Sequence, residues 1–553
     1  MEWKIKERPN PYDVERISQS LRVTPLLAIL LLQRGIKSIQ EAKNFLHPSL
    51  SSLTPPQSFP GLEKAGERIK WSIRKKEKVL LYGDYDADGI TGLALLYNYY
   101  QKMGVEPELY IPHRIEEGFG FHTHVVGKAV RNGVSLIISV DCGTESVEAC
   151  WEARKRGIDV IVIDHHLRKG ELPPAYSLVN PHIYPESPGK ELSACGVAFK
   201  LLQYLDEEEA YRSLDLVSIG TIADVVPIKG ENRTLVKLGL KLLPSTSRKG
   251  LNALLDLCGL KGKTLRPWDI SYILAPRINA GGRMDHARKA LDLLIKDGLE
   301  AEEIALSLEM DNRKRRREEE KVLKEVEFME EDGKIQVYAG KGWHPGVLGI
   351  VASRIAERKF CSAFVISLPS DKSFSFGKGS ARSRNKVDIF SLLEKSSYLL
   401  LSYGGHSRAG GFEILPEKVD EFRKRLKELE SEVEEGKLTL EIDAEVPLDN
   451  LDFKFFREVS LLSPFGEGNP EPLLLSRNVT LVTPPHYVGG NHLKFWVKGE
   501  RLHFQVIGLG WAGKLTERIR QGDKVDLVYT PRLENWEGEV REILHLRGLR
   551  KIP

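Results

Sequence analysis

Cysteine is scarce and unpatterned in this chain. The five cysteines, at 142, 150, 195, 258 and 361, form no CxxC pair and no zinc-ligand spacing. Neither a disulfide framework nor a structural zinc site is therefore expected, and the thiols read as reduced ones in a cytoplasmic protein. Long apolar runs are also missing. The most apolar stretch, Leu26 to Leu32, is far too short to span a bilayer, and the opening Met-Glu-Trp-Lys-Ile-Lys-Glu-Arg has no signal-peptide core, so neither a membrane span nor export is expected. Nor is there an excess of one charge: 81 Lys and Arg stand against 78 Asp and Glu. That balance excludes a uniformly basic coat but leaves room for a local basic groove. The remainder, 41% hydrophobic and 29% charged over 553 residues, suits a soluble chain of two to four domains.

The chain is organised around residues 78–92. Val79 to Tyr82 reads as a short buried strand that stops at Gly83. Three carboxylates follow at alternate positions, Asp84, Asp86 and Asp88, before a helical pattern opens at Gly89. Three like charges this close repel unless a cation sits among them. Further apolar runs deliver more acids and imidazoles: Ser135 to Asp141, Asp159 to His165 and His166, and Leu214 to Asp224. With helical segments between them, such as Glu145 to Arg156, the pattern is that of a parallel sheet whose one edge gathers these groups. Asp86, Asp88, Asp141, His165, His166 and Asp224 supply the donors for two adjacent cations. A mixed Asp/His set favours Mn²⁺ or Mg²⁺ over structural zinc, and two such ions can activate a water and stabilise the leaving oxygen of a phosphoester. Read from the residues alone, this is a two-metal phosphohydrolase.

Beyond this region the texture changes twice. Residues 300–331 are rich in Glu, Lys, Arg and Leu, and predict one helix of about 45 Å joining two domains. Its run Arg313 to Arg317 reads as a solvated face balanced by Glu318 to Glu320. A second α/β domain starts near Lys334. In it Gly346-Val-Leu-Gly349 opens a helix, and Ser380, Arg382 and His406 lie among glycines, where backbone can approach an anion. From about residue 440, short strands with Gly-rich turns suit a small barrel of OB type. In it Trp496, Phe504, Trp511 and Trp536 are candidates to stack bases, and residues 501–553 carry a mild basic bias of ten Lys/Arg to seven Asp/Glu. Residues 1–60 read as a helical cap on the domain that follows.

Asp-Tyr-Asp-Ala-Asp-Gly (84–89), Val-Asp-Cys-Gly (140–143), Asp-His-His (164–166) and Ala-Asp-Val-Val-Pro (223–227), in this order, resemble the DHH phosphoesterase superfamily. More closely, the chain resembles the RecJ family of single-strand-specific 5′→3′ exonucleases within it. The likeness runs over nearly the whole chain and includes Pro112-His-Arg114, Pro276 to Arg283, Trp343 to Ile350, Gly379 to Arg382, Gly404 to His406 and Pro464 to Pro472. It implies a DHH catalytic domain at 61–299, a connecting helix at 300–332, a DHH-associated domain at 333–438 and an OB-like strand-binding domain at 439–553. It further implies degradation of single-stranded DNA from a 5′ end to mononucleotides in repair and recombination, by a monomer that works beside a single-strand-binding protein and a helicase. In this reading Asp86, Asp88, Asp141, His165 and Asp224 hold two Mn²⁺ or Mg²⁺ ions, with Asp141 bridging. His166 contacts a metal or the scissile phosphate, and Asp84 is an acid or general-base candidate behind the ligands. Arg114, Arg277, Asn279, Arg283, Ser380, Arg382 and His406 are the substrate-binding candidates, and a closed pocket for a 5′-phosphate is expected from Ser380 and Arg382 with Arg277 or Arg283. Cys142, beside Asp141, is expected to make the site sensitive to oxidation. Two alternatives remain: a DHH hydrolase of short oligonucleotides or cyclic dinucleotides, which usually lacks so large a C-terminal part, and a non-catalytic DNA-binding scaffold, which needs lost metal ligands.

Overall fold

Apolar runs too short for helices, alternating with amphipathic stretches, build a five-stranded sheet in the first domain. The structure, a computed structural model, describes residues 2–168, 170–370, 375–384, 387–432, 439–511, 513, 519–536 and 539–552. The sheet is wholly parallel, in the spatial order Glu108–Tyr110, Val79–Gly83, Leu136–Val140, Asp159–Ile163, Ser177–Val179. The first strand in sequence, Val79–Gly83, lies second in space, so the winding direction reverses between it and Leu136–Val140. Helices diverge at such a point and leave a crevice at the carboxyl ends of the strands. The register then places the acids. Gly83 pairs with Val140 and Val140 with Ile163, so the next residues of these strands, Asp84, Asp141 and Asp164, fall in one row. Backbone bonds from Asp84 N to Val140 O (3.2 Å) and from Asp141 N to Ile163 O (2.9 Å) carry the pairing to that edge.

One expected contributor differs in kind. Leu214–Ala223 is a buried helix, not a strand, and Asp224 caps its C-terminus. A continuous apolar run has no periodicity to separate a buried helix from a buried strand.

The helix Gly298–Glu327 is the strut between the two α/β domains. Ala305 and Leu308 near its start pack in the core of the first domain, and Val322, Leu323 and Val326 near its end pack in the second. The second domain has a mixed sheet in the order Leu400–His406, Ala409–Ile414, Gly377–Ser383, Ser362–Leu368, Ile335–Lys341. Its glycine-rich segments around Ser380, Arg382 and His406 are strands. The glycines serve packing there: a Cβ on Gly379 would collide with the ring of Phe412. The two domains touch where Arg283 Nη1 donates to Gly346 O (3.1 Å) and Lys378 Nζ donates to Ile115 O (2.7 Å).

In the C-terminal domain the strands Leu474–Leu481, Lys524–Trp536, Glu539–Lys551, His503–Gly508 and His492–Lys498 pair in sequence around a ring. The last returns to the first through Thr480↔Lys498, which closes a barrel. The strand Glu539–Lys551 is not legible from pattern, because EVREILHLRGLRK spreads charge through it without strict alternation. Of the four candidate stacking rings, Phe504 is core, Trp511 packs against the core and Trp496 is partly exposed; the side chain of Trp536 lies outside the described residues.

The N-terminal helices cap a different domain from the expected one. Ile17, Leu27, Leu30, Leu31 and Leu46 share one core with Phe455, Phe456, Leu474 and Val497 of the C-terminal domain. The strand Glu2–Ile5 pairs with Thr439–Ile442. Amphipathicity shows that a face is buried but not which surface covers it. This joint module is bolted to the first domain by Arg233, whose guanidinium donates to the carbonyls of Phe45, Leu461, Leu462 and Ser463. A consequence follows for truncation. Deleting residues 439–553 should bare several leucines, each worth about 1.5–3 kcal/mol of burial, and leave the remainder aggregated. A monodisperse 1–438 chain on size exclusion would contradict this shared core.

Candidate metal centre and anion cleft

Each acid of the centre is aimed by a local backbone device. Asp86 is the N-cap of the helix Ala87–Lys102, and its Oδ1 accepts from the amides of Asp88 (3.0 Å) and Gly89 (3.3 Å). Gly89 is required by space: a Cβ there would lie 2.8 Å from Asp84 O. Asp88 reaches across to the start of another helix, accepting from Ala194 N (2.7 Å) and Cys195 N (3.0 Å). Asp141 has φ 64° and Val225, directly after Asp224, has φ 62°. These left-handed conformations cost energy outside glycine and are held only where the surroundings over-determine them, as at sites that must point a side chain.

The side chains converge. His165 Nε2 lies 3.4 Å from Asp141 Oδ1, 3.6 Å from Asp224 Oδ2 and 3.9 Å from Asp88 Oδ2, and His166 Nδ1 lies 3.8 Å from Asp141 Oδ1. Three overlapping groups each bring their donor atoms within 4.8 Å of one another: Asp141 with His165 and His166; Asp88 with His165 and Asp224; and Asp84 with Asp86 and Asp141. Asp141 and His165 each belong to two of them.

Electrostatics tests whether this set suits a metal. Asp84 Oδ1, Asp141 Oδ1 and Asp224 Oδ2 are buried without a hydrogen-bond partner among the described residues. Burial, then repulsion from Asp86, raises Asp84 well above the usual carboxylate range, and burial with the charges of Asp88 and Asp86 does the same to Asp141. Burial and the same two neighbours push Asp224 up to about 9, while burial and Asp86 bring Asp88 to about 7. Burial lowers His165 to about 4, which leaves its imidazole neutral with a lone pair for coordination. Oxygen and imidazole donors, orphaned carboxylate oxygens and mutual repulsion that a divalent cation would relieve all fit Mn²⁺ or Mg²⁺.

Asp164, which opens the Asp-His-His run, is not among the candidates that the sequence singles out, yet it organises the edge. Its Oδ1 accepts from the amides of His165 (2.8 Å) and His166 (3.2 Å) and from His166 Nδ1 (2.7 Å), and its Oδ2 accepts from Thr144 N (3.0 Å). Burial opposes its charge, but these bonds outweigh burial and hold Asp164 below the usual carboxylate range. A carboxylate behind a histidine fixes its tautomer and ring orientation. Cys142 is fully buried, and burial raises its thiol well above the usual range. The thiolate needed for oxidation is therefore suppressed, contrary to the expected sensitivity.

Beside the acids lies a cleft of arginines. Arg114 sits over the ring of Tyr85, 4.6 Å from its centroid. Burial and the nearby guanidinium groups of Arg114, Arg315 and Arg382 push Arg283 well below the usual arginine range, against the pull of Asp86. Burial and Arg114 likewise lower Arg382. Arg114, Arg283 and Arg382, half-buried and with no carboxylate bonded to them among the described residues, make a place for an anion. Arg382 Nη1 bonds Ser380 Oγ (3.2 Å) and Ala381 O (2.8 Å), and a Cβ on Gly349 would lie 2.9 Å from Arg382 Nη2, so Gly349 keeps this fork open. Strand register puts Ser380 and Arg382 on one sheet face with His406, through Arg382↔Ala409↔His406.

Two candidates are placed differently. Arg277 is committed to the connecting helix, with Nε 2.6 Å from Glu309 Oε2 and Nη1 donating to Ile273 O (2.6 Å). Asn279 instead accepts from Ala87 N (2.8 Å), and so holds the start of the metal-site helix. Arg315 departs from the solvated face expected of its run: it is buried and bonds Asn312 and Glu319. Spacing within the run could not show that, because every residue of it is basic or flanked by acids.

Among the described residues no helix is long and apolar enough to cross a membrane. Residues 78–221 match the DHH family N-terminal domain, residues 332–432 the DHHA1 domain and residues 442–547 the RecJ OB domain. The chain is 35% identical to the single-stranded-DNA-specific exonuclease RecJ of Bacillus subtilis, over 99% of this chain and 70% of that protein. It is 33% identical to the Escherichia coli RecJ over 90% of each. The crystal structure of RecJ from Thermus thermophilus in complex with Mn²⁺ superposes with a TM-score of 0.86 at 30% identity, covering 100% of this chain and 80% of that one. Matched from end to end and in all three domains, the chain belongs to the RecJ family.

Proposed function

We propose that the protein is a two-metal exonuclease that hydrolyses single-stranded DNA from the 5′ end and releases 5′-mononucleotides. The observation that carries this reading is the row of mutually repelling acids and neutral imidazole, with orphaned carboxylate oxygens, set against Arg114, Arg283 and Arg382, which bond no carboxylate among the described residues. Asp86, Asp88, Asp141, His165, His166 and Asp224 would hold two Mn²⁺ or Mg²⁺ ions, which when bound supply a water of lowered pKa and charge neutralisation at the scissile phosphate. Asp164 orients His166 by its short bond to Nδ1. Asp84, buried with Oδ1 unengaged, stands ready to take up a proton. Arg114, Arg283 and Arg382, with Ser380, take the terminal phosphate; the setting of Arg277 favours Arg283 as the partner from the first domain. The enzyme acts as a monomer, beside a single-strand-binding protein and a helicase that supply its substrate.

The reading is tested with Mn²⁺ or Mg²⁺ and oligonucleotides that are single-stranded, duplex or two nucleotides long. Stepwise mononucleotide release from 5′ ends of single strands is expected; cleavage confined to the dinucleotide would favour a short-oligonucleotide hydrolase, and binding without cleavage a scaffold. Metal loading should also release protons. With Asp224 at about 9 and Asp88 at about 7, the first is protonated and the second about half protonated at neutral pH in the metal-free protein, and both must be deprotonated to become ligands. Mn²⁺ affinity should therefore rise as pH increases from 6 through 9. Titration calorimetry in two buffers of different ionisation enthalpy reads the protons directly, and identical heats in both would contradict the raised values.

A further inference from the structure

Of the segments that mark the family, Pro464 to Pro472 has no part in the chemistry above. It belongs to the C-terminal domain, yet it lies against the loop that follows Asp224. Val225, the first residue of that loop, has φ 62°, a conformation that a β-branched residue adopts only where its surroundings force it. Its side chain is 62% exposed, so side-chain packing does not supply that force. The loop is instead gripped at both ends. On one side Asp224 N and Val225 N donate to Gly220 O (3.0 Å) and Ile222 O (3.3 Å) of the buried helix Leu214–Ala223. On the other, Ile228 N donates to Glu467 O (2.8 Å), across the boundary with the C-terminal domain. Ile228 itself lies in the core of the first domain, and a Cβ on Gly466 would come 2.5 Å from its Cδ1. A Cβ on Gly468, at φ 70°, would come 3.0 Å from Pro227 Cβ.

The turn that makes these contacts is itself stiff. Gly466 and Asn469 exchange both backbone bonds (3.0 and 3.1 Å). Asn469 is buried; its Nδ2 donates to the carbonyls of Leu462 (2.9 Å) and Pro464 (2.8 Å), and its Oδ1 accepts from Arg34 Nε (2.9 Å). The N-terminal helices, the C-terminal domain and the metal-site loop thus meet at one turn.

Resting on the two-metal reading, we infer that the turn Gly466 to Asn469 is a positioning device for Asp224: it fixes the loop after this acid and so completes one of the two cation positions. Asp224 belongs to a single donor group, with Asp88 and His165, whereas Asp141 is shared by two. The cation position that does not use Asp224 is indifferent to the contact. The centre therefore holds its full pair of ions only when the C-terminal domain is docked, which ties hydrolysis to the presence of the barrel.

The test is Mn²⁺ binding to the full chain without DNA, read by titration calorimetry. The unaltered protein should take up two ions. Gly466→Ala should weaken one of them by about 10- to 100-fold, the scale on which groups that orient a metal ligand act, and leave the other within about twofold. Ile228→Val lacks the Cδ1 that the new methyl meets, so combining it with Gly466→Ala should restore the weakened ion. Asp224→Asn should lose the same ion by itself. Adding Gly466→Ala to it should change the isotherm no further, because a device that acts through Asp224 then has nothing left to position. Should Gly466→Ala fail to fold, Ile228→Ala, which empties the contact rather than crowding it, should weaken the same ion. An isotherm unchanged in these variants, equal weakening of both ions, or a further loss on top of Asp224→Asn would overturn the inference. Uptake of fewer than two ions by the unaltered protein would overturn the two-metal reading itself.

Discussion

Replacing Asp141 by Ala is expected to abolish cleavage, by roughly three orders of magnitude or more, the scale seen when a member of a catalytic unit is removed. Asp141 is the carboxylate shared by two of the three donor groups, its Oδ1 is unpartnered and buried, and His165 and His166 both approach that oxygen. Without it, neither cation position keeps a full set of donors. Binding of single-stranded DNA should survive, because the arginine cleft is built from other elements. Stability supplies a second readout. The metal-free site keeps acids together against their repulsion, and Asp141 is held at φ 64°. Asp141→Asn, which keeps shape and cannot ionise, should therefore melt no lower than the unaltered protein in chelator, while losing the upward shift that Mn²⁺ produces. A cleavage rate within about tenfold of the unaltered enzyme in Asp141→Ala, measured in single turnover with saturating Mn²⁺, would rule out the bridging role expected of Asp141.

Arg382→Ala should erase most of the preference for a 5′-phosphate over a 5′-hydroxyl. A hydrogen bond to a charged group contributes about 1.5–3 kcal/mol, which at 1.4 kcal/mol per tenfold is roughly 10- to 150-fold in use of the phosphorylated strand. Burial and Arg114 press on the Arg382 charge, and Ser380 and the Ala381 carbonyl fix its Nη1, so the guanidinium is pre-aimed and little ordering entropy opposes its contact with phosphate. Arg382→Lys should recover only part of the loss, since a lysine ammonium cannot reproduce a planar two-point contact. The measurement is the ratio of kcat/KM on paired oligonucleotides that differ only at the 5′ group. An unchanged ratio in Arg382→Ala would move end recognition away from this cleft.

The chain by itself determined the chemistry, because that chemistry rests on residue type and local order. Asp84, Asp86, Asp88, Asp141, His165 and His166 each follow a short apolar run, and a strand's end is a local property that pattern can mark. The connecting helix was legible for the same reason: 30 residues, Gly298–Glu327, without an internal breaker. Tertiary structure decided whatever depends on which surfaces meet. Leu214–Ala223 could be strand or helix until its neighbours were known. The N-terminal helices declared an apolar face but not that Phe455, Phe456 and Leu474, more than 400 residues away, would cover it. Arg277 and Arg283 lie in one motif, yet one is paired with Glu309 and the other faces Arg382 across the domain boundary, because successive turns of a helix point to different partners. Charge and hydrogen-bonding capacity are written residue by residue; whether a charge is buried, paired or left to await a ligand is set only when distant segments close around it.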